Sequence, residues 1–145
     1  MKEILKEFTS HSPEETLILG KEFAETLERG DVVCLKGELG AGKTHFVKGM
    51  AKAFGIDPAD VTSPTFTLIH EYAGVKNLYH FDCYRMKSPQ EALEIGVEEY
   101  FYGEGVCIVE WPERIHSLIP SEAIWISIQV PDVKTRKFVI SKKGL

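Results

Sequence analysis

Apolar and polar positions alternate along this chain with periods that change from segment to segment. Ile4 to Phe8 reads as a short strand. Ser12-Pro13-Glu14-Glu15 then places a hydroxyl at a helix N-cap, proline at the first helical position and glutamate at the third, a capping box. Leu17, Leu19, Gly20, Phe23, Ala24 and Leu27 give the helix one core-facing side, and Gly30 predicts its stop. Between Asp31 and Lys36 the run Val-Val-Cys-Leu is apolar throughout, as expected of a strand covered on both faces of a parallel sheet. A glycine-rich turn leads into a second helix with Phe46, Val47, Met50, Ala51 and Phe54 toward the core, ending at Gly55. Thr62 to Thr67 is a loop rich in hydroxyls, and the segments 66–72 and 78–84, separated by a turn at Ala73-Gly74, predict a β-hairpin. Ser88-Pro89-Gln90-Glu91 reads as a second capping box. Val106 to Val109 is another buried strand, ending at Glu110, and strands are predicted over 124–130 and 137–140. Strands interleaved with helices make an α/β domain with a mostly parallel central sheet, a β-hairpin and helices on both faces. At 145 residues the expectation is one domain over 1–145.

Composition narrows the function classes. Charged residues make up 27% and hydrophobic ones 43%, the balance of a globular protein rather than a disordered one. No apolar run approaches the ~20 residues that span a bilayer, and the first twenty positions lack the apolar stretch of a signal peptide. Seventeen basic against twenty-two acidic residues leave a net charge of −5, which argues against a chain that grips nucleic acid alone. The three cysteines, Cys34, Cys83 and Cys107, form no Cys-x-x-Cys pair and read as buried thiols of a cytoplasmic protein.

The chemistry begins at Gly37-Glu38-Leu39-Gly40-Ala41-Gly42-Lys43-Thr44, a complete match to G-x-x-x-x-G-K-[ST]. Glycines let backbone N–H groups turn inward around a β-phosphate, lysine reaches the β/γ oxygens, and the Thr44 hydroxyl takes a place on Mg2+. A buried strand before the loop and a helix after it complete a P-loop NTPase domain. Mg2+ also needs a carboxylate from the end of a neighbouring strand. Val106-Cys107-Ile108-Val109-Glu110 and Leu78-Tyr79-His80-Phe81-Asp82 both end in one. The purer apolar run favours Glu110 as the metal ligand, leaving Asp82 to orient water; a solvated strand-end carboxylate is the alternative for each. His80 alone reads as a structural histidine. Arg85 either pairs with a carboxylate or reaches phosphate. Trp111 is either core or a mobile contact beside the catalytic strand end, and Ser63 and Thr65 are either a phosphate-sensing switch or an ordinary turn. No Asn-Lys-x-Asp is present to read guanine, so ATP is favoured over GTP.

The phosphate loop, Ser63-Pro64-Thr65-Phe66-Thr67-Leu68, His80-Phe81-Asp82-Cys83-Tyr84-Arg85 and Glu110-Trp111-Pro112 stand in an order and spacing that resembles the TsaE (YjeE) family, ATPase components of bacterial tRNA threonylcarbamoyladenosine synthesis. The resemblance runs from the first helix to about residue 130. It implies ATP with Mg2+ held by Thr44 and Glu110, Asp82 as an acid needed for hydrolysis, and Trp111 as a functional neighbour. It also implies a slow ATPase working in complex with the TsaD and TsaB proteins, with TsaD transferring the threonylcarbamoyl group and tRNA engaged only indirectly. Adenine contacts would come from the segment Thr9-Ser10-His11-Ser12 and the vicinity of Arg136. The rival functions are a small-metabolite kinase and a nucleotide-gated binding module without turnover.

Overall fold

The computed structural model of the chain describes residues 4–38, 41–62 and 68–142. Seven strands form one sheet in the order β1-β7-β6-β2-β5-β4-β3. In chain order they are β1 (Ile4–Ser10), β2 (Val32–Lys36), β3 (Ile69–Tyr72), β4 (Leu78–Asp82), β5 (Val106–Glu110), β6 (Ile124–Asp132) and β7 (Thr135–Ser141). The helices are α1 (Pro13–Ala24), α2 (Lys43–Ala53), α3 (Pro89–Glu94) and α4 (Val97–Phe101), with 3-10 turns over Pro58–Asp60 and Pro112–Leu118. The central strands β6, β2, β5 and β4 run parallel. On the flanks β3, β7 and β1 pair antiparallel. The parallel core with its edge hairpin is as the apolar runs predicted.

Because side chains alternate across a strand, each central strand serves two cores. Val33, Leu35, Val106, Ile108, Ile126 and Ile128 meet α1 and α2 on one face. Val32, Cys34, Cys107, Val109 and Trp125 meet α3, α4 and the 112–118 turns on the other. All three cysteines are buried thiols. Burial, which disfavours a thiolate, pushes Cys83 and Cys107 each up to about 12. Phe8, Phe138 and Phe46 stack at centroid distances of 5.0 and 5.1 Å, tying β1 and β7 to α2.

Helix α1 starts as its sequence predicts. The Ser12 hydroxyl accepts from Glu15 N at 3.1 Å, while Glu15 reaches back to accept from His11 N at 2.6 Å. It ends at Ala24, a turn and a half before the predicted stop. Leu27 is still buried, but from a turn, and Gly30 (φ 94°) serves the entry to β2, where its N–H donates to Gly105 O at 2.9 Å. The second capping box is half formed: Ser88 makes no cap hydrogen bond, and Glu91 accepts from Lys87 N at 3.3 Å. The hairpin strands pair over Ile69–Tyr72 and Leu78–Asp82 with the predicted connection over 73–77; the second ends two residues before the predicted Tyr84, and Phe66 and Thr67 of the first prediction lie outside the described residues. Helices α1 and α2 approach closely at two glycines. A Cβ on Gly49 would lie 2.9 Å from Leu17 C and Lys21 N, and one on Gly20 3.1 Å from Phe46 C.

Candidate functional site

Parallel pairing brings the carboxyl ends of β2, β4, β5 and β6 to one edge of the sheet, and two antiparallel steps return the end of β1 to the same edge. Open α/β sheets hold ligands at this edge. The loop after β2 lies there, closed by Ala41 N donating to Glu38 O at 3.0 Å. Gly42 adopts φ 94°, a left-handed turn that aims the first turn of α2 at the loop. Gly37 packs so near Ile128 that a Cβ would stand 3.3 Å from the Ile128 and Ala41 side chains. Glu38 is exposed and Thr44 half-buried. Leu39 and Gly40 lie outside the described residues, as do Ser63 and Thr65 of the hydroxyl loop.

The loop lysine and the two strand-end acids come together. Lys43 is 7% exposed. Its Nζ donates to Gly37 O at 2.8 Å and lies 3.5 Å from Glu110 Oε1. Glu110 and Asp82 are direct register partners on β5 and β4, so two carboxylates end neighbouring parallel strands side by side. Burial alone would raise the Glu110 carboxyl, but the His80 hydrogen bond and charge together with Lys43 hold it below the ordinary carboxylate value. Asp82 is half-buried and moves the other way: desolvation, with Glu110 adding repulsion, lifts its carboxyl although Tyr84 N donates to its Oδ1 at 2.9 Å. Two acids side by side thus have opposed tendencies, one held charged and one easier to protonate.

His80, expected as a structural histidine, is in contact with the site. Its Nε2 hydrogen-bonds Glu110 Oε2. Trp111 follows Glu110 in the left-handed region at φ 57°, uncommon for a bulky residue. That turn lays its ring over Lys43 Nζ at 4.9 Å and against Tyr84 at 4.8 Å. Trp111 also packs on the α3/α4-side core. Arg85 is exposed after β4 and forms no ion pair among the described residues. Ser12 is engaged in its cap, and the Arg136 guanidinium donates to the carbonyls of Val133 and Thr135 at 3.2 and 3.0 Å. Both stand at the site's edge of the sheet, since Ser10 is the register partner of Arg136. A groove of about 480 Å³ opens beside the loop, lined by Lys36, Gly37, Glu38, Trp111, Glu113 and Gln129 among others.

The donor set suits Mg2+. The Thr44 hydroxyl and the Glu110 and Asp82 carboxylates offer hard oxygen donors. Among the described residues no group of three or more His, Cys, Asp or Glu converges as a closed cage. Mg2+ in phosphate-handling sites is held this way, by one or two carboxylates plus substrate phosphates. Sequence reasoning missed the His80–Glu110 contact, although strand alternation places His80 on the same face of β4 as Asp82. It also missed Trp111 as a cover for Lys43, which depends on a left-handed turn that tryptophan does not announce.

Residues 10–138 match the family described as threonylcarbamoyl adenosine biosynthesis protein TsaE. The chain is 49% identical over 134 residues to the tRNA threonylcarbamoyladenosine biosynthesis protein TsaE of Bacillus subtilis, covering 92% of this chain and 83% of that one. It is 46% identical over 121 residues to the protein of that name from Treponema pallidum, covering 83% and 89%. The corresponding Aquifex aeolicus protein is 43% identical over 143 residues, covering 97% and 99%. The crystal structure of Bacillus subtilis YdiB superposes with a TM-score of 0.81 at 40% identity, covering 99% of this chain and 88% of that one. Among the described residues, no helix is long and apolar enough to cross a membrane.

Proposed function

The chain belongs to the TsaE family of tRNA threonylcarbamoyladenosine biosynthesis proteins, and from that premise we propose that it is a P-loop ATPase. It binds ATP with Mg2+ and hydrolyses it in the cytoplasm, as one domain over 1–145. It acts as an accessory to formation of the threonylcarbamoyl group on the adenosine next to the tRNA anticodon, in complex with the TsaD and TsaB proteins. TsaD performs the transfer. The net charge of −5 favours contact with tRNA through those partners rather than directly.

One observation carries this reading: Lys43, at the start of α2, meets Glu110 at 3.5 Å, and the register partner of Glu110 on the adjoining parallel strand is the second acid, Asp82. The stretch from Gly37 to Gly42 is the phosphate-binding segment, at the positive end of the α2 dipole. Lys43 exchanges Gly37 O and Glu110 for β/γ oxygens. Thr44 and Glu110 would hold Mg2+, which would supply positive charge against the charge that develops on the phosphate oxygens. Asp82, at the end of the strand beside Glu110, orients the attacking water. Ser12 and Arg136 flank the adenine. Arg85 and Trp111 are the groups through which partners act on the site, and Ser63 and Thr65 are assigned the same role from the sequence alone.

The test is titration of a fluorescent ATP analogue into wild type and Lys43→Ala. A hydrogen bond to a charged group contributes about 1.5–3 kcal/mol, so the variant should bind roughly 10- to 150-fold more weakly. Wild-type affinity in Lys43→Ala, with hydrolysis retained, would contradict the assignment.

A further inference from the structure

We propose that His80 is a positioning residue that fixes the Glu110 carboxylate, tying down Oε2 so that Oε1 faces the phosphate loop. The inference rests on the nucleotide-site reading above and adds to it the group that aims the metal-binding carboxylate.

His80 is 1% exposed, in the middle of β4, with Nε2 on Glu110 Oε2. The other oxygen, Oε1, is the one near Lys43 Nζ, at 3.5 Å. One oxygen is thus committed to a neighbouring strand and the other to the loop. A glutamate side chain has three rotatable bonds, and its two oxygens exchange by rotation about the last of them. A donor from an adjacent strand of the same rigid sheet stops that exchange.

The far side of the imidazole shows what the residue is for. Nδ1 is buried and finds no hydrogen-bond partner among the described residues. A buried polar atom without a partner is destabilising. An apolar side chain of similar size would fill the same space without that loss, so packing alone does not account for histidine here. The contact also places a proton on Nε2, from which the ring donates to the carboxylate. With the proton on Nδ1, a lone pair would face a carboxylate oxygen and an N–H would be buried unpaired. The first arrangement keeps the one favourable contact, and that contact is to Glu110. Groups that hydrogen-bond a metal ligand from outside commonly contribute 10- to 100-fold to metal affinity.

The experiment uses the full chain and the variants His80→Phe, His80→Gln and His80→Asn. Phenylalanine keeps the volume without a donor. The glutamine amide nitrogen reaches the place of Nε2, and the asparagine amide reaches only that of Nδ1. A fluorescent ATP analogue is titrated over a range of Mg2+ concentrations, and thermal unfolding checks the fold. His80→Phe is expected to raise the Mg2+ concentration for half-maximal effect 10- to 100-fold, with a larger loss of nucleotide affinity in the presence of Mg2+ than without it. His80→Gln is expected to return to within a few-fold of wild type. If His80→Phe does not fold, the same contrast is read between His80→Gln and His80→Asn. A wild-type Mg2+ response in His80→Phe, or equal impairment in the glutamine variant and the donor-less or misplaced-donor variant, would overturn the inference. Failure of wild type to bind nucleotide at any Mg2+ concentration would overturn the nucleotide-site reading itself, and the inference with it.

Discussion

Replacing Gly49 with alanine should destabilise the protein, although alanine is the better helix former. In a helix interior the exchange by itself favours folding by ~1 kcal/mol. Against it stands the approach of α1. A Cβ on Gly49 would fall inside 3.0 Å of the Leu17 carbonyl oxygen and 2.9 Å from Lys21 N, all backbone atoms that no rotamer change can move. The two helices must separate, which opens the contact at Gly20 and Phe46 and disturbs the packing of Phe46 against Phe23 and Phe138. Overpacking of this kind costs about 3 kcal/mol at the upper end of its usual range. The net is a loss of roughly 2 kcal/mol, a fall in Tm of about 4–8 °C for a chain of this size. Circular dichroism melting reads the Tm, and urea unfolding should show a lower midpoint with unchanged slope. Because Lys43 and Thr44 sit in the first turn of α2, nucleotide affinity should fall with stability. The double variant Gly20→Ala/Gly49→Ala should lose less than the sum of the single losses, since one separation relieves both clashes. A Gly49→Ala protein with the wild-type Tm or a higher one would refute the close-packing argument.

Glu110→Ala should weaken Mg2+-dependent nucleotide binding, whereas Asp82→Ala should leave binding largely intact and remove turnover in the partner complex; loss of Mg2+ dependence in the second variant but not the first would reverse the roles. Trp111→Ala should leave ATP affinity nearly unchanged, because Lys43 turns to the phosphates when nucleotide binds, yet depress the partner-stimulated rate; an unchanged stimulated rate counts against Trp111 as a partner-sensing group. The two acids should also respond oppositely to pH in urea unfolding. Glu110 has a depressed carboxyl, so its contribution is complete above the unfolded value near 4.5 and is lost as pH falls through the lower folded value. Glu110→Gln should therefore be least stable relative to wild type at neutral pH, with the gap closing in acid. Asp82 has a raised carboxyl, so its charged form opposes folding above the raised value and that opposition fades as pH falls toward 3.8. Asp82→Asn, which keeps an acceptor for Tyr84 N, should be the more stable protein at neutral pH only.

Features encoded within one segment were legible in the sequence. Strands β2 and β5 announce themselves as uninterrupted apolar runs because both their faces are covered. The phosphate loop and the Ser12 cap are local chemistry, and the pairing of Asp82 with Glu110 was legible because each acid ends a predicted strand, the one before Asp82 interrupted by His80. Features set by tertiary contact were not legible. The apolar stripe of α1 continues to Leu27, since a turn residue packed on the core has the same periodicity as one more helical turn. Helix α4 has five residues and starts from Gly96 in a left-handed conformation, so its pattern is too short to read. Ser88 has the sequence of a cap without its hydrogen bond. The His80–Glu110 contact joins residues thirty apart, and only the parallel register of β4 with β5 brings them together.

The central claim is a nucleotide site whose chemistry depends on partners, and steady-state phosphate release tests it most directly. The chain alone presents Lys43 and two acids, while Arg85 and Arg114 stand exposed, so a cation for the developing charge must be ordered or supplied on docking. Release of phosphate from ATP and Mg2+ should be slow for the purified chain and rise by up to ~10³-fold when TsaB and TsaD are added, with Lys43→Ala and Asp82→Ala flat under both conditions. Equal rates with and without the partners, or release that persists in Lys43→Ala, would contradict it.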